Sequence, residues 1–123
     1  DYGEAVLMVP YFMKRPYNMF LIIKEVGKQY LCELTDAELH AAADGIHDAI
    51  AAILDIMPRM EKEPAYNMIV HNGPGAGLYF EFLPYTQQTG GFEHLGLWVC
   101  QGSADDVVKV LQKKITSFRS EES

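Results

Sequence analysis

Between Thr35 and Pro58 the chain carries one long stretch of helical periodicity, and the rest of the sequence has to be arranged around it. Leu39, Ala42, Ala43, Ile46, Ile50, Ile53, Leu54 and Met57 recur at three- and four-residue steps, so they fall on one side of an amphipathic helix of about six turns. Thr35, with Asp36 and Glu38 behind it, forms a capping box: the threonine oxygen accepts from a free amide and Glu38 reaches back. Pro58 marks the far end. An amphipathic helix of this length needs an apolar layer to lie on, and the flanking segments have the composition of strands.

Two of those segments precede the helix. AVLMVPYFM (5–13) and YNMFLIIKEV (17–26) are rich in β-branched and aromatic residues, with Lys14, Arg15 and Pro16 as a tight connection between them. Pro10 demotes the first to an edge or bulged strand, because proline has no ladder donor. After the helix, MEKEP is a solvated connector, AYNMIVHN (65–72) a strand, NGPGAG a turn, GLYFEFLPY its hairpin partner and FEHLGLWVCQ (92–101) a further strand. Ser103 with Asp106 caps a second helix with Val107, Val110, Leu111 and Ile115 as its apolar stripe. The last residues, SFRSEES, read as frayed, which gives a single domain over 1–118 and a disordered tail over 119–123. This order predicts an α+β fold: an open antiparallel sheet, a long helix packed on one face and a short C-terminal helix.

At 123 residues, 49% hydrophobic and 22% charged, the chain suits one globular domain with one core. A net charge of −7 repels a phosphate backbone and argues against nucleic acid as a partner. No run approaches the ~20 apolar residues of a membrane span, so no membrane partner is expected. Cys32 and Cys100 form no CxxC pair; two thiols and no visible targeting segment point to a reduced, cytoplasmic setting. The chain opens with Asp1 and runs at once into strand-like sequence, so it is expected to be part of a longer polypeptide.

Candidate chemistry is sparse. His40, Asp44 and His47, at i, i+4 and i+7, share a helix face and have the donor types zinc takes, but the same spacing describes the solvated side of an amphipathic helix, which is the reading adopted. NGPGAG lacks the closing Gly-Lys-Ser/Thr of a phosphate-binding loop and is read as a hairpin turn. On the following strand Leu78, Phe80 and Phe82 point to the core, and Gly77, Tyr79 and Glu81 to the other face. A carboxylate beside a tyrosine there is expected to be a solvated surface pair. His71, across the turn, is placed to converge on Glu81, and such a pair binds a metal or relays a proton. Glu93 and His94, after the double glycine, form a second polar lip on that side.

Taken in order, PYNMFLIIKEV, LTDAEL opening a long helix, YNMIVHNGPGAG, YFEFLP and GGFE resemble the histidine-triad superfamily, and within it the C-terminal half of galactose-1-phosphate uridylyltransferase and its relatives, over roughly residues 5–115. The resemblance implies a HIT-like open antiparallel sheet crossed by a long helix, and a parent nucleotidyltransferase acting between a sugar phosphate and a nucleotide sugar, as in galactose metabolism. It implies as partners an N-terminal HIT-like half, which carries the nucleophilic histidine in an H-P-H motif, and a second copy in a homodimer. No H-P-H occurs here. Single-domain members carry H-x-H-x-H on the strand after the glycine turn, and the corresponding positions are Gly77, Tyr79 and Glu81. With Tyr79 at the nucleophile position, a phenol of reference pKa near 10 replaces an imidazole, so this chain alone is expected to be inactive. By the same resemblance His71 and Glu81 are candidate ligands of a zinc or iron ion, and Phe92 and Glu93 contact the sugar of a sugar phosphate. The alternative expectation is a degenerate HIT-like binding or structural module with neither metal nor catalysis.

Overall fold

The computed structural model describes residues 1–75, 77–87, 100 and 102–122. They form strands β1 (Ala5–Met8) and β2 (Met19–Ile23), a 3-10 turn at Leu31–Glu33, helix α1 (Asp36–Arg59), strands β3 (Tyr66–His71) and β4 (Tyr79–Pro84), and helix α2 (Ala104–Glu122). The four strands make one antiparallel sheet in the order β1-β2-β4-β3. Both helices lie in the order the sequence predicts, and the architecture is the expected α+β open sheet. The segment expected as a further strand, residues 92–101, falls almost wholly outside the described residues.

Alternation along the strands sends Ala5, Met19, Leu21, Ile23, Phe80 and Phe82 to one face, all buried under α1. The capping box is present as expected: Glu38 N donates to Thr35 Oγ1 at 3.2 Å and Thr35 N to Glu38 Oε1 at 2.9 Å. The buried stripe of α1, however, is not the one the periodicity of large apolar residues selects. It runs through Ala41, Ala42, Gly45, Ala49, Ala52, Ile53, Ile56 and Met57, while Leu39 and Leu54 are 45% and 49% exposed. The reason is distance. A Cβ built on Gly45 would sit 2.4 Å from Leu21 Cδ1, so the helix rides on small residues close enough for its backbone nearly to touch β2.

The strands are shorter than their apolar runs. β1 stops at Met8, ahead of Pro10, and β2 starts only at Met19. The tight connection expected at Lys14–Pro16 is instead a ten-residue loop, 9–18, which turns through a left-handed Tyr17 (φ 68°). Helix α2 packs Val107 and Leu111 inward, but Val110 is exposed. The helix continues through Glu122, and Arg119 Nη2 reaches Asp48 Oδ2 of α1 at 2.7 Å. Asp48, itself buried, also accepts from the Tyr2 hydroxyl at 2.8 Å, so one carboxylate holds the N-terminal segment and the last turns of the chain. Among the described residues no helix is long and apolar enough to cross a membrane.

Candidate functional site

The face of the sheet turned away from α1 carries the side chains left over by strand alternation. Register pairs Phe20 with Glu81, Ile69 with Glu81, and His71 with Tyr79, so β2, β4 and β3 bring Phe20, Glu81, Tyr79, Ile69 and His71 together on it. The expected alternation of β4 holds: Leu78, Phe80 and Phe82 face the core, and Tyr79 and Glu81 share the other side. The turn before β4 needs its glycines, since Gly73, Gly75 and Gly77 have φ of 109°, 81° and 72°. It connects two paired strands, which is the hairpin role expected of it.

Glu81 differs from expectation. It is not a solvated surface residue but 1% exposed, because loop 9–18 folds back over it. Each carboxylate oxygen is engaged. His71 Nε2 lies 3.0 Å from Oε1, and Lys14 Nζ is 3.4 Å from Oε1 and 3.3 Å from Oε2. Asn18 Nδ2 donates to Oε2 at 3.1 Å and to the Phe82 carbonyl at 3.0 Å. Asn18 is equally buried, and its Oδ1 accepts from the Lys14 backbone N–H at 3.2 Å, so one amide ties the loop to both strand and carboxylate. Burial by itself works to raise the Glu81 pKa. The hydrogen bonds from His71 and Asn18 and the Lys14 charge outweigh it and hold the carboxyl below its ordinary range.

Tyr79 lies flat against His71, with ring centroids 4.3 Å apart and planes at 12°, and on its other side it meets Phe20 at 5.5 Å. Beside this aromatic row a shallow cavity of about 400 Å³ opens, walled by Phe20, Ile22, Val26 and Tyr79, with Lys28 and the glycine turn at its rim. At the opposite end of the face the Arg15 guanidinium stacks 4.2 Å over Tyr85, and the Thr86 hydroxyl donates to the Pro16 carbonyl at 2.6 Å, closing the loop onto the end of β4.

The structure therefore brings His71, Tyr79 and Glu81 together and leaves Gly77 at the rim of the cavity. Phe92, Glu93 and His94 lie outside the described residues. His40, Asp44 and His47 are exposed on α1, and His47 Nδ1 turns to Asp48 Oδ1 at 3.2 Å. Among the described residues no three His, Cys, Asp or Glu side chains gather as a metal-binding group. The donor set around Glu81 also fits a metal poorly, because beside the imidazole and the carboxylate it contains an ammonium. Sequence reasoning missed Lys14 and Asn18, both taken for strand or turn. One signal was present: Asn18 interrupts an apolar run and stands in two-residue step with Phe20 and Ile22, which places it on the Glu81 face.

No protein-family model and no curated protein matches this chain. Solved structures do. A uridylyltransferase superposes with a TM-score of 0.79 at 17% identity, covering 93% of this chain and 39% of its own. A GalT-like protein from Arabidopsis thaliana gives 0.71 at 20%, covering 88% and 38%. An ADP-glucose phosphorylase from Arabidopsis thaliana, solved with bound ADP-glucose, gives 0.67 at 20%, covering 89% and 37%. The chain thus has the fold of the uridylyltransferase and GalT-like proteins, the HIT-like fold the resemblance implied, at identities that establish fold alone. It spans about two fifths of the length of these solved chains.

Proposed function

We propose that the chain is the non-catalytic C-terminal half of a nucleotidyltransferase of the galactose-1-phosphate uridylyltransferase kind, contributing to a sugar-phosphate pocket and to dimerisation. One observation carries the reading. At the position where the resemblance puts a nucleophilic imidazole stands Tyr79, stacked on His71 beside a carboxylate fully engaged by Lys14, Asn18 and His71. Among the described residues the carboxylate beside this phenol is already bonded to Lys14, Asn18 and His71, and a phenol lacks the near-neutral nucleophilicity that imidazole offers covalent nucleotidyl transfer. What the face does offer is surface: an aromatic row and a cavity beside it, suited to packing on a sugar ring or base, while Lys28 at its rim is already held by Glu38 and the Glu33 carbonyl and shares the rim with Glu25. The likeness to a chain that binds ADP-glucose supports a nucleotide sugar or sugar phosphate as the ligand class. Phe92 and Glu93 are proposed as further sugar contacts.

The test is binding without turnover. UDP-glucose, ADP-glucose and galactose 1-phosphate are titrated into the purified chain while the aromatic NMR signals of Phe20 and Tyr79 are followed. Saturable shifts that Tyr79→Ala abolishes support the pocket. Signals unmoved by all three ligands contradict it and favour the alternative, a HIT-like structural module.

A further inference from the structure

The resemblance implies a zinc or iron ion at His71 and Glu81, yet the chemistry around those residues is that of a site already filled by a cation. Lys14 Nζ stands 3.4 and 3.3 Å from the two Glu81 oxygens, and the carboxylate it neutralises is 1% exposed. Its position is prepared. Asn18, also 1% exposed, accepts from the Lys14 backbone N–H with one end of its amide and donates to Glu81 and the Phe82 carbonyl with the other. A zinc ion would sit roughly 2.0–2.2 Å from the His71 nitrogen and a Glu81 oxygen. There it would displace the His71–Oε1 hydrogen bond and set a double positive charge against an ammonium held on the same carboxylate. Fe(II) meets the same obstacle, since it draws on the same imidazole and carboxylate donors.

We infer that Lys14 is the resident cation of this centre. Its ammonium does the structural work of a metal, neutralising the buried Glu81 and fastening loop 9–18 to the open face of the sheet, and the centre excludes divalent transition metals. The inference rests on the Lys14–Asn18–Glu81–His71 geometry and stands whether or not the face binds a sugar phosphate.

The metal-free protein is titrated with zinc chloride, and separately with Fe(II) under anaerobic conditions, by calorimetry and by metal analysis after desalting. Wild type is expected to retain less than about a tenth of an equivalent, the same residue as His71→Ala. Lys14→Met keeps the length of the stem and removes the charge; it is expected to take up zinc at least about tenfold more tightly than wild type, and to lose that gain when combined with His71→Ala. Stoichiometric zinc or iron in wild type that His71→Ala removes overturns the inference, as does a folded Lys14→Met with no His71-dependent gain. Should Lys14→Met fail to fold, the imidazole NMR signals of His71 in wild type decide: unchanged by excess zinc they support an occupied centre, and shifted by it they refute one.

Discussion

Replacing Glu81 by glutamine keeps the shape of the side chain and removes its charge. The Lys14–Glu81 attraction at 3.3 Å lies between about 1 kcal/mol at the dielectric of water and about 5 kcal/mol at an effective value near 20. The Lys14 side chain is 36% exposed and His71 32%, so both are partly screened and both regain some hydration when the carboxylate is lost. Glutamine can accept one hydrogen bond with its carbonyl oxygen, but its amide then meets either the Asn18 amide, donor against donor, or the His71 ring, which must take the tautomer that accepts at Nε2. Charge-assisted hydrogen bonds of this kind contribute about 1.5–3 kcal/mol each, and part of the loss is offset by the desolvation Glu81 no longer suffers. Glu81→Gln is therefore expected to lower stability by about 2–3 kcal/mol, which for a domain of this size lowers Tm by roughly 8–12 °C. Urea unfolding of wild type, Glu81→Gln, Lys14→Met and the double variant measures both the cost and the coupling. The two single costs are expected to exceed the double by more than about 1 kcal/mol, because each single change strands a charge that the double does not. A Glu81→Gln stability within about 0.5 kcal/mol of wild type, or additive costs, refutes the argument that this carboxylate anchors the loop through its charge.

Three further outcomes follow from the fold. Asp48 is buried, which works to raise its pKa, but bonds from Tyr2, His47 and Arg119 and the Arg119 charge outweigh this and lower it. Its stabilisation is thus complete above the unfolded carboxyl value of about 3.9 and is lost as pH falls through the lower folded value; Asp48→Asn should flatten this acid limb in stability-versus-pH measurements and speed amide exchange in the last turns of α2. Gly45→Ala improves helix propensity by about 1 kcal/mol but drives a Cβ to 2.4 Å from the buried Leu21, an overpacking that costs about 1–3 kcal/mol, so a net loss is expected in thermal melts. Thr35→Ala removes one half of the capping box and should cost about 1 kcal/mol in the same assay, with Thr35→Ser close to neutral.

What the sequence made legible was whatever depends on local signals. Thr35 and Glu38 announce the start of α1 through side chains that can reach only neighbouring amides, and the two-residue alternation of Leu78, Phe80 and Phe82 assigns the faces of β4 directly. The buried face of α1 was harder, because alanines and a glycine carry little hydrophobic signal while allowing the closest approach; periodicity of large side chains picked Leu39 and Leu54 instead. The site was half legible. His71 and Glu81 are ten residues apart across a turn, and hairpin register alone brings them within 3.0 Å. Lys14 and Asn18 come from a loop 63 to 67 residues away in the chain, and no local pattern says that this loop folds onto β4 rather than extending the strands on either side of it.

The claim that this face binds without catalysing is tested most directly by product analysis of the purified chain incubated with UDP-glucose and galactose 1-phosphate, alone and together, followed by phosphorus NMR. The account predicts spectra identical to those of the enzyme-free control, for wild type and Tyr79→Phe alike. Turnover by wild type that Tyr79→Phe abolishes would show Tyr79 acting as a nucleophile and contradict it.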